Sequence, residues 1–268
     1  MELKFIINDY VLIWNILFQP SYNDEINNLK MKLWSEYKKE YNNTFNDRDE
    51  ILKDYQNFIP DDDIIYNFIK EQKRYTKIKK EVEKYRNELL KVWDKNKKEI
   101  NSILRKHIHK NINPYEIFVV TKDLNLIDAT VPNNPNRGIL IVGKDDHTMN
   151  ILLNIILFIL RKEIPLKNEN DIVTKSIIEL LVLNEIPTNI TKQSYYISGN
   201  PSLLDFKRKI YPYWLMFLGV KQSDFAEYMK RDKIAFNIDN YKYNKYLSRK
   251  DLSEFIDYIY ELNEHNKI

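Results

Sequence analysis

The sequence predicts a mostly helical α+β fold: an N-terminal helical region with one long helix, then a small antiparallel sheet packed with several helices. Three observations carry this. Residues 61–112 hold no Gly or Pro and repeat apolar residues at steps of three and four, a helical period. EIFVV, LIDATV and RGILIVG then follow as three strand-like runs, separated by the turn signals KDLN and PNNPNR. Beyond residue 145 the helical period returns near 146–162, 170–186, 201–219 (broken at Pro212), 223–231 and 249–264. A boundary near residue 110 divides a helical region, 1–110, from an α+β domain, 111–268. At 268 residues and 43% apolar content, the chain is long enough to bury a sizeable core.

In chain order, Leu3, Phe5 and Ile7 alternate as in a strand. Asp9 is placed to cap a helix running to Phe18, which Pro20 stops. Residues 22–42 set Ile26, Leu29, Leu33, Trp34 and Tyr37 on one helical face, and a shorter helix follows near 47–57. Asp61, Asp62 and Asp63 stand where the next helix begins and where its dipole favours negative charge. Phe68, Tyr75, Ile78, Val82, Tyr85, Leu89 and Val92 then form a heptad-like seam. It slips at Asn96–Glu99 and resumes one position over, at Trp93, Ile100 and Leu104. A helix of about 45 residues, roughly 65 Å long, is expected. Its seam residues Tyr75, Ile78, Val82 and Leu89 are the expected surface for a protein partner or a second copy of the chain.

Composition narrows the function. With no cysteine, disulfides, thiolate ligands and cysteine nucleophiles are excluded, and a reducing cytoplasm is the expected location. The wealth of Lys, Asn, Ile and Tyr is what an AT-rich genome produces. The longest apolar runs are near ten residues, against the roughly 20 that a membrane span needs. Glu2 and Asp9 stand where a signal peptide carries basic residues. The net charge of +3 conceals an asymmetry: residues 1–69 hold 7 basic and 13 acidic groups, and residues 70–110 hold 15 and 6. Lys70, Lys73, Arg74, Lys77, Lys80 and Lys84 are the candidate phosphate contacts for a nucleic acid, with Tyr75 and Tyr85 as stacking candidates. The competing reading is a solvated helix face whose tyrosines belong to the seam.

The stretch GKDDHTMNILLNIILFILRKE raises a second question. His147, Asn150 and Asn154 are three and then four residues apart, so they line one helical face among apolar neighbours. Buried there, each would cost about 1–3 kcal/mol without a partner. Glu179 lies inside IIELLVL on the following helix, where a bare carboxylate is expensive. The structural reading is an inter-helix polar network joining Glu179 to Lys175, His147, Asn150 or Asn154.

Residues 115–190 also resemble the zincin metallopeptidases, the thermolysin-like Glu-zincin branch in particular. RGILIVGKDD stands in place of the edge strand, His147 matches the first histidine of His-Glu-x-x-His, and Glu179 matches the glutamate ligand of a later helix. Thr148 occupies the place of the catalytic glutamate and Ile151 that of the second histidine. The resemblance therefore implies a degenerate member, with His147 and Glu179 the only candidate zinc ligands and no general base for a bound water.

Elsewhere, Tyr211, Tyr213, Trp214 and Phe217 read as core, His107 and His109 as a solvated helix end, and Asp145 and Asp146 as helix caps. No cofactor is expected. Three functions follow: a non-catalytic protein-interaction protein using the long helix, a zincin-like hydrolase with an atypical zinc site, and a nucleic-acid binder using Lys70–Lys84.

Overall fold

A computed structural model of the chain describes residues 1–18, 24–122, 127–128, 138–144, 147–168, 170–191, 199–231, 241–265 and 268. The chain forms two compact units, and both are discontinuous in sequence. One combines Met1–Lys95 with Ile112–Leu152, and the other combines Asn96–Asn111 with Leu153–Ile268. A single cut at residue 110 is therefore not how the chain divides.

In the first unit, strands β1 (Leu3–Ile6), β2 (Tyr115–Lys122), β3 (Ile127–Asp128) and β4 (Gly138–Lys144) form one sheet in the order β1-β2-β4-β3. The expected antiparallel sheet is corrected here. β1 and β4 both run parallel to β2, and only the two-residue β3 is antiparallel, pairing Ile127 with Ile141. Parallel neighbours need a crossover rather than a tight turn, and residues 7–114 and 123–137 intervene between the paired strands. The KDLN and PNNPNR turn signals, and Asp145 and Asp146, lie outside the described residues apart from Lys122. β2 is flanked on both sides, and Tyr115 and Ile117 through Val120 are all buried. A continuous apolar run, not an alternating one, marks a strand covered on both faces.

Helix α1 (Asp9–Phe18) packs on β2, and Val11 through Leu17 are buried. Its buried Asn15 carboxamide oxygen accepts hydrogen bonds from the Thr121 backbone N–H and hydroxyl, which ties the helix to the strand. Helices α2 (Asp24–Glu36) and α3 (Lys38–Lys53) pack on each other, and α3 also packs on α1 and on α4 (Ile64–Lys70). The break between α2 and α3 falls at Tyr37, earlier than the expected helix end near residue 42.

The predicted long helix is two helices, α4 and α5 (Lys73–His107). α5 has 35 residues, about 52 Å at 1.5 Å per residue. The reason is which face each buries. α4 buries Ile65, Tyr66 and Ile69, whereas α5 buries Tyr75, Ile78, Val82, Tyr85 and Leu89. At about 100° per residue these two sets face nearly opposite sides of one uninterrupted helix, so the break at Glu71–Gln72 is what lets both be buried. Further along, Trp93, Asn96, Ile100, Ile103, Leu104 and His107 carry the buried face. α5 passes from one compact unit to the other between Lys95 and Asn96, where the seam slips.

The second unit contains the rest of α6 (Thr148–Glu163), then α7 (Ile172–Glu179), a π-helical turn (Leu180–Glu185) and α8 (Ile186–Thr191) as one continuous helical run. Pro187 lacks an N–H and crowds the preceding turn, and the widened π turn just before it is how such strain is accommodated. There the Ile186 N–H donates to the Leu181 carbonyl, five residues back. Helix α9 (Leu204–Phe217) runs through Pro212 without breaking and ends at Gly219, whose φ of 82° suits glycine. Helices α10 (Phe225–Arg231) and α11 (Leu252–Glu264) follow, the latter opened by an Asp251–Glu254 capping box. α7 packs against α9 and α11. Tyr211, Tyr213, Trp214 and Phe217 are buried, as a core reading requires, with Phe217 stacked on Phe255 at 4.6 Å. Among the described residues no helix is long and apolar enough to cross a membrane.

His107 departs from its expected place at a solvated helix end. It continues the α5 seam three residues after Leu104, is buried, and lies 5.1 Å from the Phe217 ring. Its Nε2 has no hydrogen-bond partner among the described residues. Burial, with the Lys106 charge adding, pushes its pKa down to about 4. The unfolded chain therefore binds a proton near pH 6.5 that the folded chain refuses until about pH 4, and stability present above pH 6.5 is lost as pH falls through that window. The other histidines are exposed. We expect about 2 kcal/mol of stability to be lost between pH 7 and pH 4.5, read as a denaturant midpoint, and His107→Leu to flatten that dependence. An unchanged slope in the variant would assign the loss to other groups.

Candidate functional site

The polar stripe of α6 is not buried. His147, Asn150 and Asn154 are exposed, while Leu152, Leu153, Ile155, Ile156, Ile159 and Leu160 are covered. The stripe is the solvent edge of an amphipathic helix, and the expectation of an all-round buried helix is corrected. A three-and-four spacing of polar residues fits an exposed edge as well as a buried line. His147 precedes the first residue of α6, and its carbonyl accepts from the Ile151 N–H.

Glu179 is buried, and it is answered, but by other residues. Oε1 accepts from Arg161 Nη2 at 2.7 Å. Oε2 accepts from Lys207 Nζ at 2.8 Å and from the Asn200 backbone N–H at 3.1 Å. The Glu179 and Lys207 side chains are 1% and 0% exposed, and Arg161 is one-third exposed. Arg161 lies in the last turn of α6, on the continuation of the polar stripe, so α6 and α7 do meet through a charged contact. Lys207 comes from α9, and Asn200 from the turn before it. The turn approaches so closely that a Cβ on Gly199 would overlap Glu179 Oε2 and sit 2.8 Å from its Cδ, and Gly199 has a φ of 109°. Only glycine fits there.

This arrangement does not suit zinc. Both carboxylate oxygens are taken by cations, and a metal at either would have to displace one of them. Among the described residues, no group of three or more His, Asp or Glu side chains is placed to hold a metal ion. What the cluster does chemically is join four chain segments through one carboxylate.

The seam residues Tyr75, Ile78, Val82 and Leu89 are all buried. They are occupied inside the chain, so the expected partner surface is withdrawn. Tyr75 donates its hydroxyl proton to Asp9 Oδ1; burial, then that hydrogen bond, raises its pKa. Tyr75 and Tyr85 therefore point inward and are not available for base stacking. Among the basic residues, Arg74 pairs with Glu25 at 3.7 Å, Lys79 pairs with Asp9 at 2.8 Å, and Lys70 Nζ lies 4.3 Å from the centre of the Tyr10 ring. Lys73, Lys77, Lys80 and Lys84 are exposed and make no ion pair among the described residues.

Sequence reasoning missed an aromatic face on α2 and α3. Trp34, expected on the buried side of its helix, is 46% exposed, and Met31 and Phe45 are 71% and 49% exposed. The rings nevertheless form a chain of edge contacts: Trp34 to Tyr41 at 5.5 Å, Tyr41 to Phe18 at 4.8 Å and Phe18 to Phe45 at 5.0 Å. The Tyr41 hydroxyl anchors this chain by donating to the Leu17 carbonyl at 3.2 Å. The missed signal was Trp34 itself, which follows Leu33 and so lies about 100° round the helix from the buried residue.

Breaking the Glu179 cluster tests its structural role. Glu179→Ala leaves Lys207 buried and unpaired, and should cost about 3–5 kcal/mol in denaturant unfolding. Adding Lys207→Met should recover part of that loss, whereas Gly199→Ala should destabilise alone. A Glu179→Ala cost below about 1 kcal/mol would mean the pair is exposed in solution. No protein-family model, curated protein or solved structure matches the chain.

Proposed function

We propose that this chain is a protein-interaction protein that takes its partner on the aromatic face of α2 and α3. The reading rests on one observation: Met31 is largely exposed and Trp34 and Phe45 are nearly half exposed, while their neighbours hold the rings in edge contacts. Scattered exposed apolar residues are ordinary, but a contiguous aromatic patch is where interfaces concentrate. Trp, Tyr, Phe and Met are the residues enriched there, and Trp and Tyr dominate binding energy. Rings already ordered in the free protein lose little further freedom on binding.

Charge narrows the partner. Between residues 30 and 39 the chain carries Lys30, Lys32, Lys38 and Lys39 against Glu36 alone, and Lys38 Nζ lies 5.2 Å from the centre of the Trp34 ring. The Trp34 end of the patch is thus basic while the Phe45 end adjoins Asp47, Asp49 and Glu50, a polarity complementary to an amphipathic segment acidic at one end and basic at the other. The hydrolase reading draws no support from Glu179, whose oxygens are engaged by Arg161, Lys207 and the Asn200 N–H.

The test is capture of a partner from the native cell extract by the wild-type chain and by a Trp34→Ala/Phe45→Ala variant. The expected result is a stoichiometric partner lost from the variant, with the variant's melting temperature within a few degrees of wild type. Equal capture by both would exclude this face.

A further inference from the structure

We propose that the outward ridge of α5 binds the phosphodiester backbone of a duplex nucleic acid. The ridge consists of Lys73, Lys77, Lys80, Lys84, Lys91 and Lys95. Their steps of four, three, four, seven and four keep them on one face. That face is opposite the buried Tyr75, Ile78, Val82 and Leu89, so burial of the seam fixes the lysines outward. All six are exposed, and none makes an ion pair among the described residues.

The contrast with neighbouring cations on the same helix is informative. Arg74 and Lys79, off the ridge, each meet a carboxylate of the chain, Glu25 and Asp9. The ridge instead repeats like charges at neighbouring positions, Lys73–Lys77, Lys77–Lys80, Lys80–Lys84 and Lys91–Lys95. Such pairs oppose helix formation, and Glu81, spaced from Lys77 and Lys84, and Glu88, spaced from Lys84 and Lys91, offset them only in part. A bound polyanion relieves that repulsion and releases its own counterions.

Dimensions and chemistry select the polyanion. Lys73 to Lys95 spans about 33 Å along the axis, close to the roughly 34–36 Å of one duplex turn. Single-strand binding relies on aromatic stacking beside the charge, but the helix's Tyr75, Tyr85 and Trp93 face the core. A membrane surface is favoured by apolar residues beside the cations; the exposed Leu90 lies well round the helix from the ridge. A rigid charged ridge without stacking or insertion fits the duplex backbone.

The experiment is anisotropy titration of the full chain with a labelled random-sequence DNA duplex of about 24 base pairs, over a range of salt. Five or six neutralised phosphates predict a slope of about −5 in log affinity against log salt. Lys80→Glu/Lys84→Glu should weaken binding at least tenfold and make the slope shallower by about two. Lys80→Gln/Lys84→Gln should do so to a smaller extent. Lys221→Glu/Lys230→Glu makes the same change in net charge elsewhere and should have little effect. A slope shallower than −1, equal losses in the ridge and control variants, or binding to phosphatidylserine vesicles without duplex binding would overturn the proposal.

Discussion

The buried seam of α5 is the constraint on which the arrangement of the first unit depends. Tyr75, Ile78, Val82, Tyr85 and Leu89 commit one side of this helix to the interior over its first half. That commitment fixes three other features. It forces the break at Glu71–Gln72, because Ile65, Tyr66 and Ile69 of α4 require the opposite facing. It brings the Tyr75 hydroxyl to Asp9, at the head of the buried helix α1. Asp9 also receives Lys79. Burial by itself would raise the Asp9 pKa; the hydrogen bonds from Lys79 and Tyr75 outweigh it and hold the carboxyl below its usual range. Finally, the seam turns the ridge lysines outward. The same residues that looked like a docking surface are what deny the helix its apolar face and leave it a basic one.

The second unit is organised around a charge instead. Glu179 sits buried at the end of α7, flanked along the chain by Ile and Leu residues. Its carboxylate holds Arg161 of α6, Lys207 of α9 and the turn at Asn200. Buried ion pairs seldom add net stability over a well-packed apolar core, but removing one member strands the other. The cluster is therefore better understood as fixing which elements meet than as strengthening their contact. Gly199 belongs to it as much as the charged residues do, since the backbone approaches the carboxylate too closely for any side chain. The π-helical turn next to Glu179 has its own cause in Pro187, eight residues on.

Local pattern revealed most of the secondary structure and little of the pairing. The runs 116–120 and 137–143 carry the β-branched residues of strands, but their parallel alignment depends on contacts between distant segments. Two turn signals nearby argued for hairpins. The unbroken apolar run Ile117 through Val120 was the sequence's indication of a strand covered on both faces. For Glu179 the need for a partner was legible from IIELLVL, but its identity was not. Arg161 and Lys207 lie 18 and 28 residues away, and in a chain rich in basic residues neither stands out. His147 drew attention because a histidine beside apolar residues resembles a site, whereas its exposure makes it an ordinary helix-end residue.

Exposure also separates two kinds of cation that composition treats alike. The basic excess of residues 70–110 is nine charges, and a count of that sort is compatible with a solvated surface. Position relative to the seam divides it. Cations at the seam's margins are matched inside the chain: Arg74 by Glu25 and Lys79 by Asp9. Those directly opposite the seam have no ion-pair partner among the described residues. Acids are concentrated beside that face, at Glu81, Glu83 and Asp94. Glu88 interrupts the ridge between Lys84 and Lys91, so the run of like charge is densest from Lys73 to Lys84, and it is that run, held at fixed intervals on a rigid helix, that a regular polyanion is able to read.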